Sequence, residues 1–256
     1  MRKICLAHLA FALLFFLIPS RVFAFEIKGL QPVQPYWVFS SFSAETLPPG
    51  AFASGMDYDN VPDDSYQRLA LKAGYGIADN MDTILTVPYI LEYKESEGWE
   101  DIALGFRHKV FGEGKYGPSV AYLVKLSLPN GIDEFSTDGA FGAGVIVSKK
   151  LGPFSSNINF FYSEPFESAY NEQLEFSFGL ALKASHDFDI LGELYVIDSY
   201  RVKSFETVEA RLGYRVRTEY VYTTIGAGFD LKNRTPDFRI MLSLNLLLEK
   251  HRKVGY

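Results

Sequence analysis

Cysteine is nearly missing from this sequence. The single copy, Cys5, sits inside the apolar stretch at the start of the chain. If that stretch is removed on export, the mature protein holds no thiol, which excludes disulfides and thiol chemistry and suits an oxidising compartment. Histidine is scarce as well. After His8 come only His108, His186 and His251, the first on the apolar face of its strand, the second in a turn, the third in the C-terminal run. None is placed to activate a serine, so no enzyme, metal or cofactor is expected. Basic residues are outnumbered, 25 Lys and Arg against 31 Asp and Glu, for a formal charge of -6. This argues against a nucleic-acid partner. Long hydrophobic runs are absent beyond Ile4 to Ile18, so no second helical membrane span is available.

That run reads as a secretory signal. Arg2 and Lys3 precede it, and Val22-Phe23-Ala24 offers a small residue for cleavage, giving a signal peptide over 1–24 and a mature start at Phe25. Loss of Arg2, Lys3 and Arg21 takes the formal charge from -6 to -9. The run is shorter than the roughly 20 residues of a spanning helix, which favours cleavage over a retained anchor.

What the chain has in quantity is alternation. From Ala51 onward, segments of about ten residues alternate apolar and polar side chains and are separated by turn residues. Leu174, Phe176, Phe178, Leu180 and Leu182 share one face, against Glu175, Ser177, Gly179, Ala181 and Lys183 on the other. Val208, Ala210, Leu212, Tyr214 and Val216 repeat the pattern, as do Ile240, Leu242, Leu244, Leu246 and Leu248. The expected fold is all-β: a transmembrane antiparallel up-and-down β-barrel of about twelve strands over 51–249, with a short tail over 250–256. Strands are expected at 51–59, 67–75, 82–91, 101–111, 118–128, 140–149, 156–163, 174–184, 189–198, 206–216, 220–229 and 237–248. Tight turns such as Gly76 to Met81 and Leu151 to Phe154 alternate with longer acidic connections such as Pro129 to Gly139, as in outer-membrane barrels. A soluble secreted barrel is the competing reading, because alternation does not say which face is the core.

Twelve strands spaced about 4.8 Å apart and tilted about 40° enclose a ring of roughly 24 Å, leaving a lumen of about 10 Å. Lys72, Arg107, Glu193, Glu209 and Arg211 fall on polar faces near mid-strand and are expected to line it. They form either a selectivity constriction or a structural ion-pair network, and the network is favoured because Glu193 and Arg211 lie on neighbouring strands. Asp57, Asp59, Asp63 and Asp64 read as a solvated acidic outer loop. Gly139, Gly142 and Gly144 lie in a strand and not at a strand-to-helix turn, so they are no nucleotide site.

Residues 25–50 precede the first strand, and their prolines discourage a central strand. This segment either enters the lumen or packs at the periplasmic rim, with Tyr36, Trp37, Phe39 and Phe42 as the candidate plug residues; a thirteenth strand over Trp37 to Ala44 is the alternative.

Several runs resemble a known family. They are Val38-Phe39-Ser40-Ser41-Phe42-Ser43-Ala44-Glu45 with Pro49-Gly50, then Ala73-Gly74-Tyr75-Gly76-Ile77-Ala78-Asp79, then Leu85-Thr86-Val87-Pro88-Tyr89. Trp99 to His108, Leu126 to Gly131 and Asn233 to Asp237 continue the likeness. Together they resemble the outer-membrane transporter family named for the MetA-pathway of phenol degradation. The resemblance implies a single-chain barrel that moves small hydrophobic or aromatic compounds, and it carries over no binding residue. Its motifs are structural: a periplasmic turn, a proline at a strand end, and glycines that ease packing in the lumen. The sequence reading is thus a monomeric passive transporter of the outer membrane. Its partners are outer-membrane lipid, lipopolysaccharide, a small solute and, during insertion, the assembly machinery. A structural or adhesion barrel without transport is the alternative, with a lipid-modifying enzyme further off.

Overall fold

The computed structural model describes residues 29–33, 37–62, 65–93, 95–167, 172–199, 207–232 and 238–248. The expected signal peptide over 1–24, Tyr36, Asp63, Asp64 and the expected tail over 250–256 lie outside them.

The alternating segments fold as thirteen strands. These are β1 (Phe52–Val61), β2 (Tyr66–Ala78), β3 (Met81–Tyr93), β4 (Ser96–Trp99), β5 (Ala103–Phe111), β6 (Ser119–Ser127) and β7 (Ala140–Leu151). They continue as β8 (Phe154–Pro165), β9 (Gln173–Lys183), β10 (Phe188–Ser199), β11 (Thr207–Arg217), β12 (Val221–Asp230) and β13 (Phe238–Leu248). Every strand except β4 pairs antiparallel with a neighbour on each side, and β13 returns to β1, closing a ring of twelve. Closure leaves no sheet edge among the staves, as a barrel in lipid requires.

The four-residue β4 is the element the sequence did not announce. It pairs only with the outer half of β3, Tyr89 opposite Trp99 and Tyr93 opposite Ser96, while β5 pairs with the inner half, Met81 to Thr86. Pro88 marks the changeover. It lies within β3, where beyond Thr86 the facing strand is no longer β5, and the Pro88 carbonyl accepts from Glu100 N at 3.2 Å.

One end of the barrel carries short turns, Asp79–Asn80 and Gly152–Pro153 among them; the other carries the longer connections, such as 128–139. The register follows the expected alternation. Phe178 is 39% exposed on the outside and Ser177 is 0% exposed on the inside. Leu212, Tyr214, Ile240, Leu242, Leu244 and Leu246 are likewise outward and exposed. A barrel in water would turn these faces the other way; so much contiguous apolar surface is far beyond what a soluble monomer shows. An arginine at Phe178 should therefore cost about 2–4 kcal/mol in refolding titrations into bilayers, and one at Ser177 should not carry that lipid-side cost. Equal costs on both faces would contradict the register.

Candidate functional site

All five charged residues assigned to the lumen point inward and are buried: Lys72, Arg107, Glu193, Glu209 and Arg211. Glu193 and Arg211 are directly opposite in register, and Arg211 Nη1 donates to Glu193 Oε1 at 2.7 Å. Its Nη2 donates to Glu209 Oε2 at 2.8 Å. Arg239 on β13 lies 3.6 Å from Glu209, and both Arg239 and Arg68 lie 3.9 Å from Asp59. Arg68 Nε donates to Glu100 at 2.8 Å. A chain of alternating charges thus crosses the inner wall from β10 to the loop before β5. Gly228 permits it, since a Cβ there would strike Glu209 Oε1. Apart from this chain, Arg107 grips both oxygens of Asp82 at 3.1 and 2.6 Å, and Lys72 meets Asp57 at 2.5 Å.

Asp57 and Asp59 do not form a solvated outer loop. They point into the lumen from β1, in phase with Ala53 and Gly55, and are held by Lys72, Arg68 and Arg239. Arg68, Arg239, Asp82, Arg215 and Asn159 also belong to the inner wall and were not singled out from sequence. Arg68 is two strand repeats from Lys72, and Arg239 is in phase with Ser243, so the signal was present.

Residues 29–33 and 37–50 lie against this wall from within. Val38 and Ser41 bridge to form a tight loop, with Phe39 at its tip in a left-handed conformation, φ 42°. Phe39 enters a hole made by Gly213 and Gly226, which face each other across β11 and β12; a Cβ on either would overlap its ring. Glu193 accepts from Ser40 N, Ser41 N and Ser41 Oγ, the last at 2.6 Å. Asn159 imitates a strand partner for Phe42, accepting from its N–H and donating to its carbonyl at 2.8 Å. Ser148 Oγ accepts from Ala44 N, Asp82 from Leu47 N, and Thr86 Oγ1 from Gln31 N. Arg107, Arg215 and Lys72 donate to the carbonyls of Ser43, Trp37 and Pro32. The Trp37 ring lies between Lys72 Nζ and Arg215, 4.6 and 5.0 Å from its centroid. Buried polar backbone is thereby satisfied by side chains in place of a ladder, which explains why only an isolated bridge forms over Trp37 to Ala44 and no thirteenth stave. Phe42 packs edge-on against Phe161, and Leu30, Val33 and Leu47 complete an apolar cluster with Ile84, Leu123 and Ile146.

At the end with long connections, Asp101 organises the loop between β6 and β7. Its carboxylate accepts from Gly131 N, Ser136 Oγ, Thr137 N and Thr137 Oγ1 at 2.6–3.0 Å. Burial pushes the Asp101 carboxyl up, but these hydrogen bonds together outweigh burial and hold it below its ordinary value. A depressed folded pKa means that the contribution is complete above the unfolded value of about 3.9 and is lost as pH falls through the lower folded value. Limited proteolysis should therefore cut 129–139 slowly at neutral pH and faster below about pH 4, while Asp101→Asn should be cut fast at both. An unchanged rate in the variant would remove Asp101 from this role.

No family pattern matches the chain, and no curated protein matches it. Solved structures do. An outer membrane channel from Pseudomonas putida F1 superposes with TM-score 0.58 at 14% identity, covering 80% of this chain and 98% of that one. The KdgM porin gives 0.59 at 8% identity over 77% and 99% of the two chains. The NanC porin gives 0.58 at 10% identity over 77% and 100%. At these identities the likeness is one of fold.

Proposed function

We propose that the protein is an outer-membrane barrel and a passive channel for small solutes, whose lumen is obstructed by its own residues 29–33 and 37–50. The observation that carries this reading is the inverted distribution of side chains: leucines and aromatics outside, paired charges inside. The short-turn end would face the periplasm, where the chain enters the first strand, and the longer connections would face outward among lipopolysaccharide. A monomer suffices for this reading, because the ring closes within one chain and leaves no stave edge for a second copy to cover. Hydrophobic and aromatic compounds are the solute class that the resemblance to the MetA-pathway family implies. The lumen charges serve first as a structural network. They form pairs and leave no uniform ring of one sign of the kind that charge-selective filters use.

A second reading is favoured by the density of hydrogen bonds between the segment and the wall: a closed structural barrel without transport. Swelling of liposomes carrying refolded protein separates the two. Entry of phenol or a small sugar above the protein-free rate is the expected result. No entry for any small solute, with the barrel folded, would support the structural reading.

A further inference from the structure

The wall engages the main chain of the obstructing segment at every residue from Ser40 to Ala44. Glu193 accepts from the N–H groups of Ser40 and Ser41 at 3.0 and 2.7 Å. Asn159 accepts from Phe42 N at 2.5 Å and donates to Phe42 O at 2.8 Å. Arg107 donates to the Ser43 carbonyl at 2.7 Å, and Ser148 Oγ accepts from Ala44 N at 2.8 Å. These side chains come from β10, β8, β5 and β7, and all of them are buried. A main chain offers the same N–H and C=O groups whatever its sequence, so bonds of this kind recognise a peptide as such. Asn159 shows it best, because a side-chain amide facing the N–H and C=O of one residue repeats what an added strand does. Serine hydroxyls supply further ties, Ser40 Oγ accepting from Arg211 and Ser41 Oγ donating to Glu193.

We propose that this stretch of wall is a peptide-binding site, which the chain's own residues 40–44 fill from within and which a free peptide of the same length fills in their place. Passage of such a peptide rests on the channel reading; its binding does not. The wall also sets the class of ligand. Its charges are paired, Glu193 with Arg211 and Arg107 with Asp82, so a charged peptide gains nothing there. Phe42 meets the edge of Phe161 at 5.7 Å, beside Leu123 and Ile146, which gives one aromatic position. Ser41 lies against Gly179, where a Cβ would stand 2.9 Å from its hydroxyl, so the residue before the aromatic is small. The ligand is an uncharged peptide with small side chains around one aromatic.

The test uses the full chain carrying Phe39→Ala, which loosens the tethered copy without touching the stretch that the wall engages; a tethered copy otherwise competes at a high effective concentration. Fluorescent, end-capped Ser-Ser-Phe-Ser-Ala and Ala-Ala-Phe-Ala-Ala are titrated onto protein folded in vesicles, and anisotropy reads binding. Both peptides should bind. Methylating the phenylalanine nitrogen removes the donor that Asn159 accepts and should weaken binding by about tenfold or more. Asn159→Leu should weaken the unmethylated peptide alike and erase the difference between the two. The methylated peptide reads the same contact on an unaltered wall, so the result does not hang on how that variant folds. No binding of either peptide would overturn the site, as would binding of the serine peptide alone or indifference to methylation. In a second arm the peptide should reduce the single-channel current of the Phe39→Ala protein, and binding that leaves the current unchanged would place the peptide outside the lumen. Binding to a barrel that carries no current sustains the site and contradicts the channel; current without binding does the reverse.

Discussion

A protein lacking residues 25–48 should fold to the same barrel and conduct several times more current than the full chain. The ladder of twelve staves closes without the segment, whose described residues contribute only one isolated bridge, so the deletion removes an obstruction and no stave. The wall survives because its pairs satisfy one another: Arg211 keeps Glu193 and Glu209, and Arg107 keeps Asp82. Some stability is lost with the buried Trp37, Phe42 and Leu47, each worth about 1.5–3 kcal/mol of apolar burial, so the deletion should melt earlier while still shifting on a gel as a folded barrel. Single-channel recording reads the result. Equal conductance in the two proteins would mean that the segment does not block the pore.

Arg211→Met should be the most damaging single substitution in the lumen, at about 3–5 kcal/mol. The guanidinium is fully buried between Glu193 and Glu209, and Nη1 also donates to Ser40 Oγ at 2.6 Å. Removing it strips Glu193 of its counter-charge, leaves Glu209 with Arg239 alone at 3.6 Å, and takes one bond from the loop that carries Phe39. By contrast Lys109→Ala, which breaks a half-buried pair with Glu45 at 2.9 Å, should cost about 0–1 kcal/mol. Urea unfolding in lipid vesicles measures both. Similar costs for the two variants would show that water, and not Arg211, satisfies the lumen carboxylates.

The staves and their facing were legible in the sequence because a two-residue period is imposed on every strand that has lipid on one side and a polar lumen on the other. The same phase would have assigned Arg68 and Arg239, both in step with residues already read as inward. Asp57 and Asp59 were misread because Asp63 and Asp64 follow them and the four look like one acidic run, whereas the first two still alternate with Met56 and Tyr58 on β1. Strand β4 was hidden because four residues are too few to establish a period. The path of residues 29–33 and 37–50 was illegible for another reason. Its aromatic and proline content said that it would not lie in water, but its partners are single side chains on distant strands, Asn159, Glu193 and Arg215, and a hole that exists only when Gly213 and Gly226 meet across two strands. No local pattern encodes that complementarity.

The central claim is that the segment before the first strand fills the barrel, and thiol labelling tests it most directly because no cysteine follows Cys5 in the sequence. Ser43 is buried beside Ser148, with its carbonyl held by Arg107, whereas Ser185 lies exposed in the turn between β9 and β10. In protein folded into bilayers, Ser43→Cys should resist a bulky maleimide that labels Ser185→Cys at once, and should become reactive after unfolding in urea. Equal labelling of the two cysteines in the folded protein would place the segment outside the lumen and contradict the account.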